Sequence, residues 1–310
     1  MFQKPIGLLT PQPIGERWIK AFEKEAPEVT VLLNKALREP SEIELLLVWK
    51  HPKGSLQNFK NLQLLYSLGA GVDHLMSDPY IPKDVPICRI IDPLLAFSMS
   101  NYIVYAVLDF HRRMDKYRKD QHQKIWDHYA APERNIRIGV LGLGTLGQDA
   151  ALKLRGLGFD VAGYSPSPKN IPGIACHHSD QLHAFLQSVN VLVCTVPYTS
   201  DTHALLNTSL FQQLPKGSYL INVARGKVQV ENDILEALET HQLSGAFLDV
   251  FETEPLPKDS PLWYHPKVTI TPHIASITKP EAGVRQIVAN WERVQNKTPL
   301  EHQVDLQKGY

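Results

Sequence analysis

Residues 136–165 read Ile-Arg-Ile-Gly-Val-Leu-Gly-Leu-Gly-Thr-Leu-Gly-Gln-Asp-Ala-Ala-Leu-Lys-Leu-Arg-Gly-Leu-Gly-Phe-Asp-Val-Ala-Gly-Tyr-Ser. An apolar strand runs into a glycine turn, an apolar-periodic helix follows, and a second strand closes the unit. Gly142, Gly144 and Gly147 fit the spacing G-x-G-x-x-G. The first glycine permits a tight turn, the second lets a pyrophosphate approach the backbone, and the third lets the helix pack closely on the strand. Phosphates would sit on the helix N-terminus, where unpaired N–H groups and the helix dipole favour negative charge. The stretch predicts a βαβ unit that binds a dinucleotide.

Outward from that unit, the chain divides into two α/β regions. Short apolar runs at 5–10, 29–33, 45–49, 64–68 and 86–91 read as strands, with an amphipathic helix over 16–25 carrying Trp18, Ile19 and Phe22. Runs at 189–197, 218–223, 245–250 and 268–271 continue the strand pattern beyond residue 136, separated by helical stretches such as 231–240. Strands alternating with helices imply parallel sheets, doubly wound in the second region. A long apolar-periodic helix over 98–117 leads out of the first region. The polar and aromatic stretch 122–133, with Trp126 and Tyr129, reads as an extended arm. A last helix near 281–295 could pack back on the first region. The domains are expected at 1–97 plus 277–310 and at 98–276.

Composition narrows the function. The 310 residues suit two domains at roughly 100–200 residues each. The 32 basic and 32 acidic residues cancel, so no global field argues for a nucleic-acid or other acidic partner. Cys88, Cys176 and Cys194 are far apart and form no Cys-x-x-Cys pair, which suits a reduced, cytosolic chain. No signal-peptide pattern begins the sequence, and no apolar run reaches membrane-spanning length. The expectation is a soluble cytoplasmic protein.

In doubly wound sheets ligands bind outside the carboxyl ends of the strands. Arg225 follows one such strand in Asn-Val-Ala-Arg-Gly, acids follow the next in Asp249-Val-Phe-Glu-Thr-Glu-Pro-Leu, and His273 follows another in Thr-Pro-His-Ile-Ala. In the first region Gly69-Ala70-Gly71 would expose N–H groups to an anion. Arg225 can hold a 2-oxo acid through a planar fork of donors. His273 can protonate the oxygen as hydride reaches carbon. Glu254 can orient the imidazole and favour its charged form, although Glu252 is close enough in sequence to compete. Asp249 either touches the cofactor or supports its loop.

Some features invite blander readings. His177-His178 has no further ligand at zinc-site spacing, so no metal is expected. Cys194 lies in an apolar strand and reads as core. Arg112-Arg113 with Lys116, Arg118 and Lys119 reads as a solvated or dimer-facing surface. Trp49 and His51 end a strand and could face substrate.

Taken together, the motifs resemble the D-isomer-specific 2-hydroxyacid dehydrogenases, and within them the glyoxylate/hydroxypyruvate reductase A branch. The matching pieces are Leu68-Gly-Ala-Gly-Val-Asp73, the glycine turn, Asn222-Val-Ala-Arg-Gly226, Leu248-Asp-Val-Phe251 with Glu254-Pro-Leu-Pro257, and Ile270-Thr-Pro-His-Ile-Ala275. Ser260-Pro-Leu-Trp263, Gln303-Val-Asp305 and Gly309-Tyr310 point to the branch. The resemblance implies two Rossmann-like doubly wound domains with a cleft between them. It implies catalysis by Arg225, Glu254 and His273, and substrate binding by Gly69, Ala70, Gly71, Arg225 and Trp49. Cofactor contacts are expected from Gly142, Gly144, Thr145, Leu146, Gly147, Ser165, Lys169, Val196, Pro197, Val223, Ala224, Arg225, Asp249 and His273. It also implies a homodimer through the cofactor domain, served by the long helix and arm.

Three positions, Ser165, Pro166 and Asn101, depart from the family. Where NAD-preferring members end the second strand in an acid that binds the ribose 2′-OH, this chain has Ser165. A carboxylate would repel a 2′-phosphate, whereas Ser165 and Lys169 can hydrogen-bond one, so NADPH is favoured. The arginine usual after the serine is Pro166. Asn101 stands where relatives tend to carry glutamate. The reading is an NADPH-preferring reductase of small 2-oxo acids, glyoxylate to glycolate and hydroxypyruvate to D-glycerate. The alternatives are an NADH-dependent D-2-hydroxyacid dehydrogenase with another 2-oxo acid, and, more remotely, a non-catalytic dinucleotide sensor of the corepressor kind.

Overall fold

The computed structural model describes residues 4–128 and 132–306. Tyr129 of the expected arm and the terminal Gly309-Tyr310 lie outside them. The chain forms two units, Met1–Pro93 with Thr278–Tyr310, and Leu94–Ile277.

In the first unit the five described strands are β1 (Ile6–Leu9), β2 (Val31–Leu33), β3 (Leu45–Val48), β4 (Leu64–Ser67) and β5 (Ile87–Arg89). They form one parallel sheet in the order β2-β1-β3-β4-β5. Every residue of β3 and β4 is buried, which is why Leu-Leu-Leu-Val and Leu-Leu-Tyr-Ser show no alternation: both faces are covered. The helix Gln12–Glu25 has proline in its first turn, where the missing N–H costs nothing, and buries Trp18, Ala21 and Phe22. The last long helix, Pro280–Asn296, joins the same core through Val284, Ile287 and Trp291. Its buried Asn290 is fully engaged, donating to Tyr66 Oη and the Glu301 carbonyl and accepting from the Glu301 N–H. The strand order reverses between β1 and β3, so the carboxyl ends of β1 and β3 flank the crevice where such a sheet binds a ligand.

The second unit adds β6 (Arg137–Leu141), β7 (Asp160–Ser165), β8 (Ala175–His178), β9 (Val191–Cys194), β10 (Ser218–Asn222), β11 (Leu243–Leu248) and β12 (Val268–Ile270). They form a parallel sheet in the order β12-β11-β10-β9-β6-β7-β8. Apolar clusters cover both faces, one around Ile138, Val140, Val193 and Ile221, the other around Leu192, Leu220, Leu248 and Phe211. The order reverses between β6 and β9, next to the glycine turn.

Two elements differ from the sequence reading. The strand β8 was not expected, because Ala-Cys-His-His has no apolar run; it is an edge strand held by its ladder to β7. The helix expected over 98–117 begins at Pro93 and ends at His111. Arg113 then turns left-handed, and a separate polar helix, Met114–Gln123, takes up the start of the expected arm. Ion pairs hold this polar helix: Arg118 grips Asp109 with both terminal nitrogens at 2.6 and 2.9 Å, and Lys116 bridges Asp120 and Asp127. Among the described residues no helix is long and apolar enough to cross a membrane.

Candidate active site

The glycine turn after β6 is built as the sequence requires. Gly142 has φ of +105°, a region that disfavours side chains. A Cβ on Gly147 would lie 1.9 Å from the Gly142 carbonyl oxygen, so the helix Thr145–Gly156 can begin there only with glycine. By contrast a Cβ on Gly144 would enter open space, leaving room for a ligand against the backbone. Thr195, at the end of β9, pins the turn by donating to the Gly142 carbonyl at 2.8 Å. Val196 and Pro197 follow it. The first-turn N–H groups of Thr145, Leu146 and Gly147 have no carbonyl partner within the helix. These residues fit a dinucleotide pyrophosphate. At the end of β7 stands Ser165, 6% exposed, with Lys169 exposed four residues on.

The loops after β10, β11 and β12 are stapled to one another. Asn222 is buried; its amide oxygen accepts the Ala224 N–H and its nitrogen donates to Gln229 Oε1 at 2.7 Å. Gln229 in turn donates to the Val250 carbonyl. A Cβ on Gly226 would lie 1.8 Å from the Phe251 carbonyl oxygen, so the Arg225 loop and the Phe251 loop touch backbone to backbone. Arg225 is half-buried between Val223-Ala224 and Gly226, and its guanidinium donates to the Ala224 carbonyl at 2.7 Å.

Glu254 faces His273. The imidazole Nδ1 lies 3.0 and 2.9 Å from the two carboxylate oxygens, with the side chains 31% and 21% exposed. The Phe251 N–H also reaches Glu254, at 3.3 Å. This settles which acid serves the histidine. Glu252 is committed elsewhere: it accepts the Glu231 N–H, and its own N–H donates to Glu231, both at 2.8 Å. Burial, followed by the charge of Glu252, pushes the Glu231 carboxyl up. His273 itself has φ of +57°, held by its N–H donating to the Asp249 carbonyl at 2.8 Å. With Nδ1 taken by a carboxylate, Nε2 is the nitrogen that can exchange a proton with a ligand.

Of the two roles open to Asp249, the geometry fits support of the loop rather than contact with the cofactor. The residue is 1% exposed, and its carboxylate accepts from Thr271 Oγ1 at 2.6 Å and from the Ile274 and Ala275 N–H groups at 2.8 Å each. Thr271 accepts in turn from the Tyr102 hydroxyl on the helix Pro93–His111. Burial pushes the Tyr102 phenol up, so it stays a donor. Tyr102 and Thr271 were not legible as site residues, since nothing in either local sequence signals their pairing.

In the first unit, the turn Gly69-Ala70-Gly71 follows β4. Its three carbonyls point inward: Gly69 accepts from the Ile90 N–H, Ala70 from Arg89, and Gly71 from the Ser67 hydroxyl. In a trans peptide the following N–H points the opposite way. The N–H groups of Ala70, Gly71 and Val72 are thereby turned away from these anchors, as anion binding needs. The Trp49 ring packs on Gly69, within 2.6 Å of where a Cβ would stand, and meets His74 edge-on at 4.7 Å. His51, expected alongside Trp49, is instead buried against Asp78, with Nε2 2.9 Å from Oδ2. Burial works against the Asp78 charge, but the N–H groups of Tyr80 and Gly54 together with His51 outweigh it and hold the carboxyl below its usual range. Cys194 is core, its thiol pushed up to about 12 by burial. No cluster of metal ligands occurs among the described residues.

Residues 104–275 match the family model for the NAD-binding domain of D-isomer specific 2-hydroxyacid dehydrogenases. The chain belongs to the D-isomer specific 2-hydroxyacid dehydrogenase family. Glyoxylate/hydroxypyruvate reductase A of Serratia proteamaculans is 41% identical over 283 residues, covering 89% of this chain and 90% of the relative. Among solved structures, a family member from Xanthobacter autotrophicus in complex with NADPH and MES is 39% identical, covers 99% of both chains and superposes with a TM-score of 0.91. An NADPH-dependent glyoxylate/hydroxypyruvate reductase from Sinorhizobium meliloti, bound to NADP and sulfate, is 35% identical, with a TM-score of 0.93 over 99% of this chain and all of that one. As a member of this family the chain is an NAD(P)H-dependent oxidoreductase built on two Rossmann-like units, and the Arg225, Glu254 and His273 loops lie at the strand ends where such a sheet binds its ligands.

Proposed function

We propose that this chain is an NADPH-preferring reductase of small 2-oxo acids that converts glyoxylate to glycolate and hydroxypyruvate to D-glycerate. The observation that carries the reading is the His273–Glu254 pair, Nδ1 to carboxylate at 2.9 Å, held at the end of β12 by a buried Asp249. The names of the similar enzymes from Serratia and Sinorhizobium support the substrate class. The NADPH and NADP complexes of the similar structures support the cofactor. Ser165, where an acid would disfavour a 2′-phosphate, supports the preference from this chain's own sequence.

The glycine turn with Thr145, Leu146 and Gly147 would hold the pyrophosphate, while Ser165 and Lys169 would meet the adenosine ribose. When bound, NADPH supplies the hydride. Arg225 holds the substrate carboxylate and polarises the keto oxygen with a fixed fork of donors. In the first unit, the turn Gly69-Ala70-Gly71 offers the Ala70 and Gly71 backbone N–H groups to a carboxylate. His273 delivers a proton from Nε2 to the keto oxygen as the carbon is reduced, and Glu254 holds the resulting ring in place and in the right tautomer. Electrons and protons balance: one hydride to carbon and one proton to oxygen give the 2-hydroxy acid.

The assembly is a homodimer through the second unit, and the chain works in the cytoplasm. The apolar surface that supports the dimer is on the long helix and arm, where Tyr105 is 57%, Ile125 50% and Trp126 92% exposed. The test follows the absorbance of NADPH and of NADH against glyoxylate, hydroxypyruvate and pyruvate. Oxidation of NADPH by the first two is expected; no oxidation with any pair refutes the reductase reading.

A further inference from the structure

With Pro166 in place of the usual arginine, the sequence leaves only Lys169 as a cation near a 2′-phosphate. The fold brings up another group. The edge strand β8 runs parallel to β7, with Tyr164 opposite His177 and Ser165 opposite His178. Neighbouring strands lie about 4.8 Å apart, and residues in register point to the same face. That face can be identified. A Cβ on Gly163, two residues before Ser165, would strike the side chain of Leu143 in the glycine turn at 2.6 Å. Residues two apart along a strand share a face. Ser165 and His178 therefore point to the side of the sheet that carries the glycine turn. His177 and Tyr164 point to the other, where both rings lie near Phe185.

The strand ends are also tied down. The Tyr164 hydroxyl donates to the Ser179 carbonyl at 2.7 Å, and Ser179 takes φ of +51°. The His178 N–H donates to Gln181 Oε1 at 3.0 Å. The His178 ring turns Nδ1 toward its own loop, 3.2 Å from Ser179 Oγ. Nε2 remains as the nitrogen that can meet a ligand, on a partly exposed side chain.

We infer that His178 recognises the adenosine 2′-phosphate of NADPH through Nε2–H, beside Ser165, and takes the part left open by Pro166. The inference rests on the NADPH reading above and names the residue that carries its selectivity. NADP+ and NAD+ are titrated calorimetrically into the wild-type chain and into His178→Ala, His178→Gln and His177→Ala. Loss of a hydrogen bond to a charged group predicts that His178→Ala binds NADP+ at least about tenfold more weakly while NAD+ affinity is unchanged. His178→Gln, which keeps an N–H donor, restores most of the difference, and His177→Ala alters neither titration. A wild-type chain that prefers NADP+ together with an unaffected His178→Ala overturns the assignment alone, as does a parallel loss of NAD+ binding. A wild-type chain that binds both cofactors equally overturns the cofactor reading itself.

Discussion

Replacing Asp249 with asparagine tests whether the histidine loop is held by a buried carboxylate or whether that carboxylate serves the cofactor. In the native chain Oδ1 accepts from Thr271 and from the Ile274 N–H, while Oδ2 accepts from the Ala275 N–H. An asparagine can present its oxygen to only one side. Its best orientation keeps Thr271 and Ile274 and turns an NH2 group onto the Ala275 N–H, two donors face to face at a site 1% exposed. A buried donor left without an acceptor costs about 1–3 kcal/mol. Taking about 2 kcal/mol, the unfolding midpoint falls by roughly 4–8 °C for a domain of this size. Because the His273 N–H hangs on the Asp249 carbonyl at 2.8 Å, displacement of the loop also moves the imidazole, and kcat falls by about ten- to a hundredfold. NADP+ affinity stays within about twofold of the wild type, since the carboxylate faces the loop. Differential scanning fluorimetry, steady-state kinetics and a cofactor titration read the three quantities. Loss of NADP+ binding with an unchanged midpoint would refute the reasoning and return Asp249 to the cofactor.

Other perturbations have equally definite outcomes. Glu254→Gln removes the charge 2.9 Å from His273 Nδ1, and kcat/KM is expected to drop by roughly ten- to a hundredfold, with Glu254→Asp intermediate; an unchanged kcat/KM would leave Glu254 without a role. Gly226→Ala places a Cβ 1.8 Å from the Phe251 carbonyl oxygen, a backbone atom, so the Phe251–Glu254 loop must shift at a cost of about 1–3 kcal/mol, visible as a lower midpoint and a lower kcat together. Asp78→Asn destabilises the first unit at neutral pH, because its carboxyl is held below the usual range in the folded chain. That stabilisation is present above the unfolded carboxyl pKa of about 3.9 and is lost as pH falls through the lower folded value, so the gap between wild type and variant in urea titrations closes in acid.

Much of this was legible because certain residues encode backbone constraints or chemistry within a few positions of one another. The glycine spacing of 142, 144 and 147 is one case, since the Gly147 contact with the Gly142 carbonyl leaves no room for any side chain. The buried strands β3 and β4 are another, because parallel strands covered on both faces are predominantly apolar rather than alternating. What escaped depends on partners far away in sequence. Glu252 and Glu254 look alike until the fold commits Glu252 to Glu231. The Tyr102–Thr271–Asp249 chain spans 169 residues and has no local signature. His51 follows Trp49 by two positions, yet burial against Asp78 takes it into the protein while the Trp49 ring covers Gly69. β8 is polar because it is an edge, and its importance lies in its register with Ser165. The break at Arg113 arises where the salt-bridged helix Met114–Gln123 takes over from the apolar one.

The most direct test of the account is rapid mixing of NADPH-loaded wild-type and His273→Gln chains with glyoxylate, following nicotinamide absorbance, with the NADPH dissociation constant measured in parallel. The account predicts NADPH oxidation by the wild type and none above background by His273→Gln, at unchanged NADPH affinity. Turnover by His273→Gln at the wild-type rate would contradict it.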